Sequence, residues 1–347
     1  MPFTKEEFEL IKTLTDIDGI SGYEKEVSRF LKEEYLGLGC SLIFDNLGGL
    51  FALKKSNNPN AFNVMIDAHM DEVGFLVGEI KDDGKIHLLP VGGLYPEKII
   101  NAPLRLRNNK GDIFKGHFET NGKKDELIFV SDFKDKKSIF SAGINYGDVV
   151  TFDTSIKQIG ENRYLSKAYD DRYGLALGIE ILRHFKDKEL PFNLYVGGSV
   201  QEEVGLRGAT LNLDVIKPDL AIVLDCSSAS INDEGFGILG SGLLIRYFDR
   251  GMVAFKELLD LQVEAAISSN AKYQYFTTLG GTNAGSIHKY GNGILTLTHC
   301  VCGKNIHTHE IEFDSDDYQN AKKSLIYLLD NLSFDKMKQL KGVRRWK

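Results

Sequence analysis

The sequence predicts an α/β fold: a mixed, mostly parallel sheet covered by helices and interrupted by a small β-barrel-like insertion. Three observations carry this. Apolar runs of strand length alternate with segments of 3.6-residue periodicity over residues 1–72 and 163–347. Between them, over 73–162, short runs alternate apolar and polar residues and are separated by turn dipeptides. Finally, His, Asp and Glu stand directly after the apolar runs, where open parallel sheets gather their ligands.

In chain order, Phe8, Ile11, Leu14 and Ile17 recur at helical spacing, and Gly19 and Gly22 break the pattern. Ser21, with Glu24 three residues on, predicts a capping box opening a second helix with Val27, Phe30 and Leu31 on one face. Strands are expected at 41–44 and 49–53, and 62–68 is apolar enough for a buried parallel strand. In the insertion, strands are expected at 74–79, 85–89, 104–107, 112–117 and 148–152. Asp83-Gly84, Asn121-Gly122 and Tyr146-Gly147 mark turns between them. The return to alternation predicts helices at 171–185, 251–270 and 316–331, and strands at 192–200, 219–224 and 294–298.

A chain of 347 residues is long enough for two units. A net charge of -7 with scattered basic residues gives no electrostatic footprint for nucleic acid, and the tail from Lys341 to Lys347 reads as solvated. Cys40, Cys226, Cys300 and Cys302 form no C-x-x-C pair, which fits free thiols in a reducing compartment. The N-terminus is acidic where a signal peptide is basic and apolar, and no run approaches the ~20 apolar residues of a membrane span. The expected location is the cytoplasm, with no membrane partner.

The chemistry sits at the strand ends. The 62–68 run leads into His69-Met70-Asp71-Glu72, the 192–200 run into Gln201-Glu202-Glu203, and the 219–224 run into Asp225. Asp170-Asp171-Arg172 precedes a helix, and His307 follows the 294–298 run. Any one of these has an ordinary explanation: a polar cap, a solvated loop pair, or acids at a helix N-terminus. Together they form an inventory of two histidines and several carboxylates, which suits zinc, cobalt or manganese; the lack of thiolate argues against a structural zinc knot. Two-metal hydrolysis needs one carboxylate between cations about 3.5–4 Å apart and a second, unligated carboxylate to take a proton from water. Glu202-Glu203 supplies one ligand and one base, and Asp71, two residues after His69, lies on the same side to orient the imidazole.

At these residues the chain resembles the glutamyl aminopeptidase and tetrahedral aminopeptidase family of dinuclear metallopeptidases, metallopeptidase family forty-two. The matching blocks are Phe44-Asp45-Asn46-Leu47-Gly48-Gly49, Ala68-His69-Met70-Asp71-Glu72-Val73-Gly74-Phe75 and Lys167-Ala168-Tyr169-Asp170-Asp171-Arg172. They continue in Val200-Gln201-Glu202-Glu203-Val204-Gly205-Leu206-Arg207-Gly208-Ala209, Gly280-Gly281-Thr282-Asn283-Ala284-Gly285 and Ile306-His307-Thr308-His309. The resemblance implies a phosphorylase/hydrolase-like catalytic domain over 1–72 and 163–347 and an inserted β dimerisation domain over 73–162. It implies two divalent metal ions, one on His69, Asp170 and Asp225, the other on Asp170, Glu203 and His307. It makes Glu202 the general base and later proton donor, with Asp71 orienting His69. It also implies a homo-oligomer, a tetrahedral dodecamer built from dimers, acting on short peptides.

The implied reaction is release of the N-terminal residue, preferably Glu or Asp, with Lys304 the candidate contact for an acidic side chain. The alternatives are the same hydrolase acting on neutral or basic N-termini or on N-acyl amino acids, and a non-catalytic metal-binding assembly protein. Three departures from the family pattern bear on substrate choice: Asn283 where Asp is usual, Cys302-Gly303-Lys304-Asn305 before Ile306-His307, and a short 118–126 loop. The glycine-rich 237–242 stretch lacks a phosphate-loop setting and predicts a turn. His299, Cys300 and Cys302 are expected as a buried strand rather than a metal cluster, and His184 and His288 as ordinary helix or loop residues.

Overall fold

The computed structural model describes residues 1–120, 126–232 and 234–343. The Asn121-Gly122 turn, most of the 118–126 loop and the end of the basic tail lie outside the described residues. A six-stranded sheet runs in the order Ser41–Phe44, Leu50–Lys54, Phe192–Ser199, Phe62–His69, Leu220–Val223, Leu295–Thr298. The first three strands are joined antiparallel and the last four run parallel, which is the mixed, mostly parallel sheet expected.

Alternation along these strands sorts their side chains onto two covered faces. Val64, Ile66, Leu220 and Ile222 enter a large core with residues of helices Lys5–Asp16, Lys25–Gly37, Tyr169–Phe185, Lys256–Ser268 and Ser315–Asp330. Met65, Ala221 and Val223 face the other way, into a smaller core under Leu213–Ile216 and Ala284–Ile287. Each fully buried Val, Leu or Ile contributes about 1.5–3 kcal/mol, so two-sided burial explains why the central strands read as unbroken apolar runs.

Six strands close a barrel in the order Gly74–Ile80, Ile86–Val91, Leu127–Val130, Ile113–Thr120, Pro103–Arg107, Val149–Phe152. It buries its own core, in which Phe75 stacks on Phe118 (5.6 Å between ring centroids) and meets Phe152 edge-on (6.0 Å). Ile156 and Tyr164 belong instead to the large core, and Arg163–Ser166 pairs with Ile311–Asp314 of the larger unit. The separate cores therefore part between Phe152 and Ile156.

Asp18 ties the two units together. It accepts hydrogen bonds from Arg105 Nε (2.8 Å), Arg107 Nη2 (3.0 Å) and Thr151 Oγ1 (2.8 Å), all on barrel strands, with Lys167 Nζ 3.6 Å away. Burial disfavours its charge, but Lys167 and Arg105 outweigh burial and hold the carboxyl well below the usual carboxylate range. A lowered folded-state pKa gives stability that is present above the unfolded value, near 3.9, and lost as pH falls through the folded value. Asp18→Asn is therefore expected to cost about 3–5 kcal/mol at pH 7, and the gap should narrow below about pH 4. Urea unfolding across that range checks it, and a gap independent of pH would sink the charge argument.

Several local expectations are corrected. The second helix starts at Lys25 without a side-chain cap. Glu24 is not helical (ψ 4°), so Ser21 and Glu24 reach across to other segments instead of forming a capping box. The helix expected over 251–270 begins at Lys256, because Asp249 Oδ1 holds the N–H groups of Gly251 and Met252 in a turn (both 2.7 Å). The 237–242 stretch does turn, with Gly237, Gly240 and Gly242 at positive φ. His299 is buried between Gln262 and the Ala321 carbonyl, and His288 bonds the Ala284 carbonyl of its own helix turn. No helix among the described residues is long and apolar enough to cross a membrane.

Candidate active site

The three parallel strands Phe192–Ser199, Phe62–His69 and Leu220–Val223 end on the same edge of the sheet. That edge carries His69, Glu202, Glu203 and Asp225 to one cavity of about 630 Å³, which Asp170 and His307 also line. Asp170 arrives at the start of helix Tyr169–Phe185, whose first residues are not helical and whose preceding residue, Ala168, has φ 54°. His307 itself has φ 61°.

Asp170 turns one oxygen to each histidine: Oδ1 lies 3.1 Å from His69 Nε2 and Oδ2 3.7 Å from His307 Nε2. Glu203 Oε2 is 3.3 Å from His307 Nε2. Donor atoms of His69, Asp170 and Glu203 all lie within 4.8 Å of one another. Tyr95, from a barrel loop, stacks on the His307 ring at 6.3 Å, and Gly93 of the same loop lies beside that ring.

Burial pushes Glu202, Glu203 and Asp225 well above the usual carboxylate range, and neighbouring carboxylates push them further: Glu203 and Asp170 act on Glu202, Asp170 on Glu203, and Asp170 and Glu202 on Asp225. Burial raises Asp171 too, and its Oδ1 has no hydrogen-bond partner. Burial acts against charge on His69, but hydrogen bonds to Asp170 and Asp71 reverse this and raise its pKa. So many buried carboxyls, which ionise together only where positive charge offsets them, with two imidazoles and no thiolate among the donors, are a donor set that divalent cations fit.

Support comes from behind. His69 Nδ1 lies 3.0 Å from the Asp71 carbonyl oxygen and 3.6 Å from Asp71 Oδ1, so the nearer contact is to the main chain. The Asp71 carboxylate instead accepts the N–H groups of Glu202 (3.0 Å) and Glu203 (3.1 Å) and the hydroxyl of Ser21 (2.6 Å). Asp171 Oδ2 accepts the His69 N–H (3.2 Å), and only glycine fits at 174, since a Cβ there would stand 2.6 Å from Asp171 Oδ1. The buried Arg172 guanidinium donates to the carbonyls of Met70, Leu14 and Ile17, and the equally buried Lys167 pairs with Glu72 at 2.7 Å.

Sequence reasoning missed Arg246. It lies on strand Leu243–Phe248 and lines the cavity beside Ser227, Thr278, Gly280 and Gly281. Its guanidinium is nearly fully buried, with Nε 2.9 Å from Asp249 Oδ2 and Nη1 donating to Ser227 Oγ (3.2 Å), while Nη2 has no hydrogen-bond partner. Among the described residues that line the cavity, it is the one lysine or arginine. Lys304 does not line the cavity; it bridges through its backbone to Glu312. Asn283 also lies off the cavity, buried behind it, where its Nδ2 donates to Asp67 Oδ2 (2.8 Å) and Ser199 Oγ (2.7 Å). Burial lifts the Asp67 carboxyl to about 7, so an aspartate at 283 would set a second acid against it.

A model of the M42 glutamyl aminopeptidases matches residues 48–323, and a shorter model, AMPT, matches 5–31. The chain is 34% identical to the glutamyl aminopeptidase of Lactococcus lactis over 96% of this chain and 99% of the relative. It is 28% identical to the lysyl aminopeptidase of Pyrococcus furiosus over 94% and 97%. An aminopeptidase from the archaeon Desulfurococcus kamchatkensis superposes with a TM-score of 0.92 at 27% identity, covering 98% of this chain and 99% of that one. The Pyrococcus horikoshii TET1 peptidase, which assembles into a tetrahedron or an octahedral shell, shares the fold with a TM-score of 0.83 at 24% identity, covering 94% and 100%.

Proposed function

We propose that this chain, which belongs to the M42 glutamyl aminopeptidase family, is a two-metal aminopeptidase that removes acidic residues from the amino ends of short peptides. The observation that carries the acidic preference is Arg246: among the described residues that line the cavity it is the one lysine or arginine, and its Nη2 has no hydrogen-bond acceptor in the protein. A carboxylate side chain supplies that acceptor, whereas a lysyl side chain would set like charges together in a desolvated site.

His69, Asp170 and Asp225 would hold one divalent cation, and Asp170, Glu203 and His307 the other, with zinc, cobalt and manganese all suited to these donors. Bound there, the cations supply Lewis acidity, lowering the pKa of water and polarising the scissile carbonyl. Glu202 takes the proton of the attacking water and delivers it to the leaving amine. Asp71, by gripping the N–H groups of Glu202 and Glu203, keeps both carboxylates aimed into the cavity. Arg246 binds the acidic side chain and so fixes which bond faces Glu202.

The assembly read for this chain is a homo-oligomer, a dodecamer built from dimers through the barrel, whose surface exposes Leu89, Ile100, Ile113, Phe140 and Tyr146. The shells formed by the Pyrococcus horikoshii relative support it. Four free cysteines suit a reducing, cytoplasmic location.

The test is hydrolysis of Glu-, Asp-, Leu- and Lys-peptides, and of N-acetylated Glu-peptides, by metal-stripped protein reloaded with zinc, cobalt or manganese. Metal-dependent release from unblocked Glu- and Asp-peptides is expected, with none from the acetylated ones. Equal rates on Leu and Lys would overturn the acidic preference, and cleavage of the blocked peptides would overturn the aminopeptidase reading.

A further inference from the structure

We infer that Glu24 is a positioning residue for Glu202, acting through the main chain of Gln201; this rests on the reading of Glu202 as the general base. Glu24 is buried, and its Oε1 accepts the N–H of Gln201 at 3.1 Å and that of Gly22 at 2.9 Å. The next two N–H groups, of Glu202 and Glu203, go to the two oxygens of Asp71. Three consecutive main-chain donors thus end on two buried carboxylates. Ser21 donates to Asp71 as well, so one short turn, 21–24, both supplies and braces the acceptors.

The need for such a grip lies in the backbone. Gln201 has φ 57°, a left-handed conformation that costs a non-glycine residue about 1–3 kcal/mol and persists only when its surroundings hold it. It occurs where the chain leaves strand Phe192–Ser199 and turns Glu202 into the cavity. Successive N–H groups in such a turn form a concave nest for an anion. Here the carboxyl oxygens of Glu24 and Asp71 fill that nest. Without Glu24, the Gln201 N–H has no acceptor and the turn loses one of its anchors. A misplacement of about 1 Å at a catalytic group costs up to about 10²-fold in rate.

A plainer role would be to shape the turn before helix Lys25–Gly37 through Gly22 alone. Two readouts separate them in the full-length protein: steady-state kinetics at measured metal content, and amide hydrogen exchange over 200–204 in the metal-free protein. Glu24→Ala and Glu24→Asp, which lose or shorten the acceptor, are expected to lower kcat about 10-fold with KM and metal content kept, and to speed exchange over 200–204. Glu24→Gln, whose amide oxygen still accepts both bonds, is expected to restore both. Wild-type kcat in Glu24→Ala, faster exchange only around 20–26, or a Gln variant as impaired as Ala would overturn the inference. Should the Ala variant not fold, equal kcat in the Asp and Gln variants overturns it instead. Glu202→Gln is run beside them: if it stays active, the base reading fails and this inference with it, whereas an inactive Glu202→Gln with a normal Glu24→Ala sinks this inference alone.

Discussion

Glu202→Gln is expected to lower kcat on a Glu-peptide by about 10³-fold, with KM and metal content close to wild type. Gln keeps the size of the side chain and leaves the main-chain grip of Asp71 untouched, so the variant loses one property, the ability to take and return a proton. The environment favours that role. Burial and the charges of Glu203, Asp170 and Asp71 raise the Glu202 carboxyl well above the usual carboxylate range, so it holds a proton more firmly than an ordinary carboxylate. Among the described residues no ion pair engages it, while Asp170 and Glu203 are each drawn to a histidine. Rates with metal content measured on the same sample decide the matter. A Gln variant keeping more than about a tenth of wild-type kcat would move the base elsewhere, since that factor is below what general-base catalysis provides.

Arg246→Met is expected to lower kcat/KM for Glu-peptides by about 10²-fold while changing Leu-peptides little, so that the preference collapses or inverts. Removing one partner of a buried charge pair costs about 2–5 kcal/mol, and 2.7 kcal/mol corresponds to the hundredfold loss. Met fills the volume along the wall. Asp249 loses its ion pair but keeps the N–H groups of Gly251 and Met252, so the local turn retains two of its anchors. The ratio of Glu to Leu rates is the measurement, because a general loss of stability lowers both. An unchanged ratio would remove Arg246 from substrate recognition.

How far the sequence could be read depended on the kind of signal. The central strands were legible because two-sided burial makes them continuous apolar runs, and the run through Ala68 located His69 at its end. The same logic brought Glu202, Glu203 and Asp225 together, since parallel strands finish on one edge. Arg246 escaped because it lies inside its strand, and because Leu243–Phe248 pairs with Tyr273–Thr277 outside the main sheet. A lone arginine in Leu-Leu-Ile-Arg-Tyr-Phe was the available signal: a charge within an apolar run must be paired or functional. Ser21 and Glu24 were visible as a pair but assigned to a helix cap. Partners distant in sequence, the Asp71 carboxylate for Ser21 and the Gln201 N–H for Glu24, engage these side chains, which spacing alone does not disclose. Nearness in sequence to His307 does not place Lys304 in the site: it pairs through its backbone with Glu312 and does not line the cavity.

Tyr95 against His307 changes what the barrel is. A subunit trimmed of its insertion, with Met70–Glu72 spliced to the 153–156 stretch, would keep every proposed cation donor. It would still lack one wall of the chamber, leaving an imidazole bare to water, and Asp18 would lose the two arginines that balance it beside Lys167. The insertion is thus one side of the vessel in which the reaction is run, and a graft of this barrel from another relative would carry that side with it.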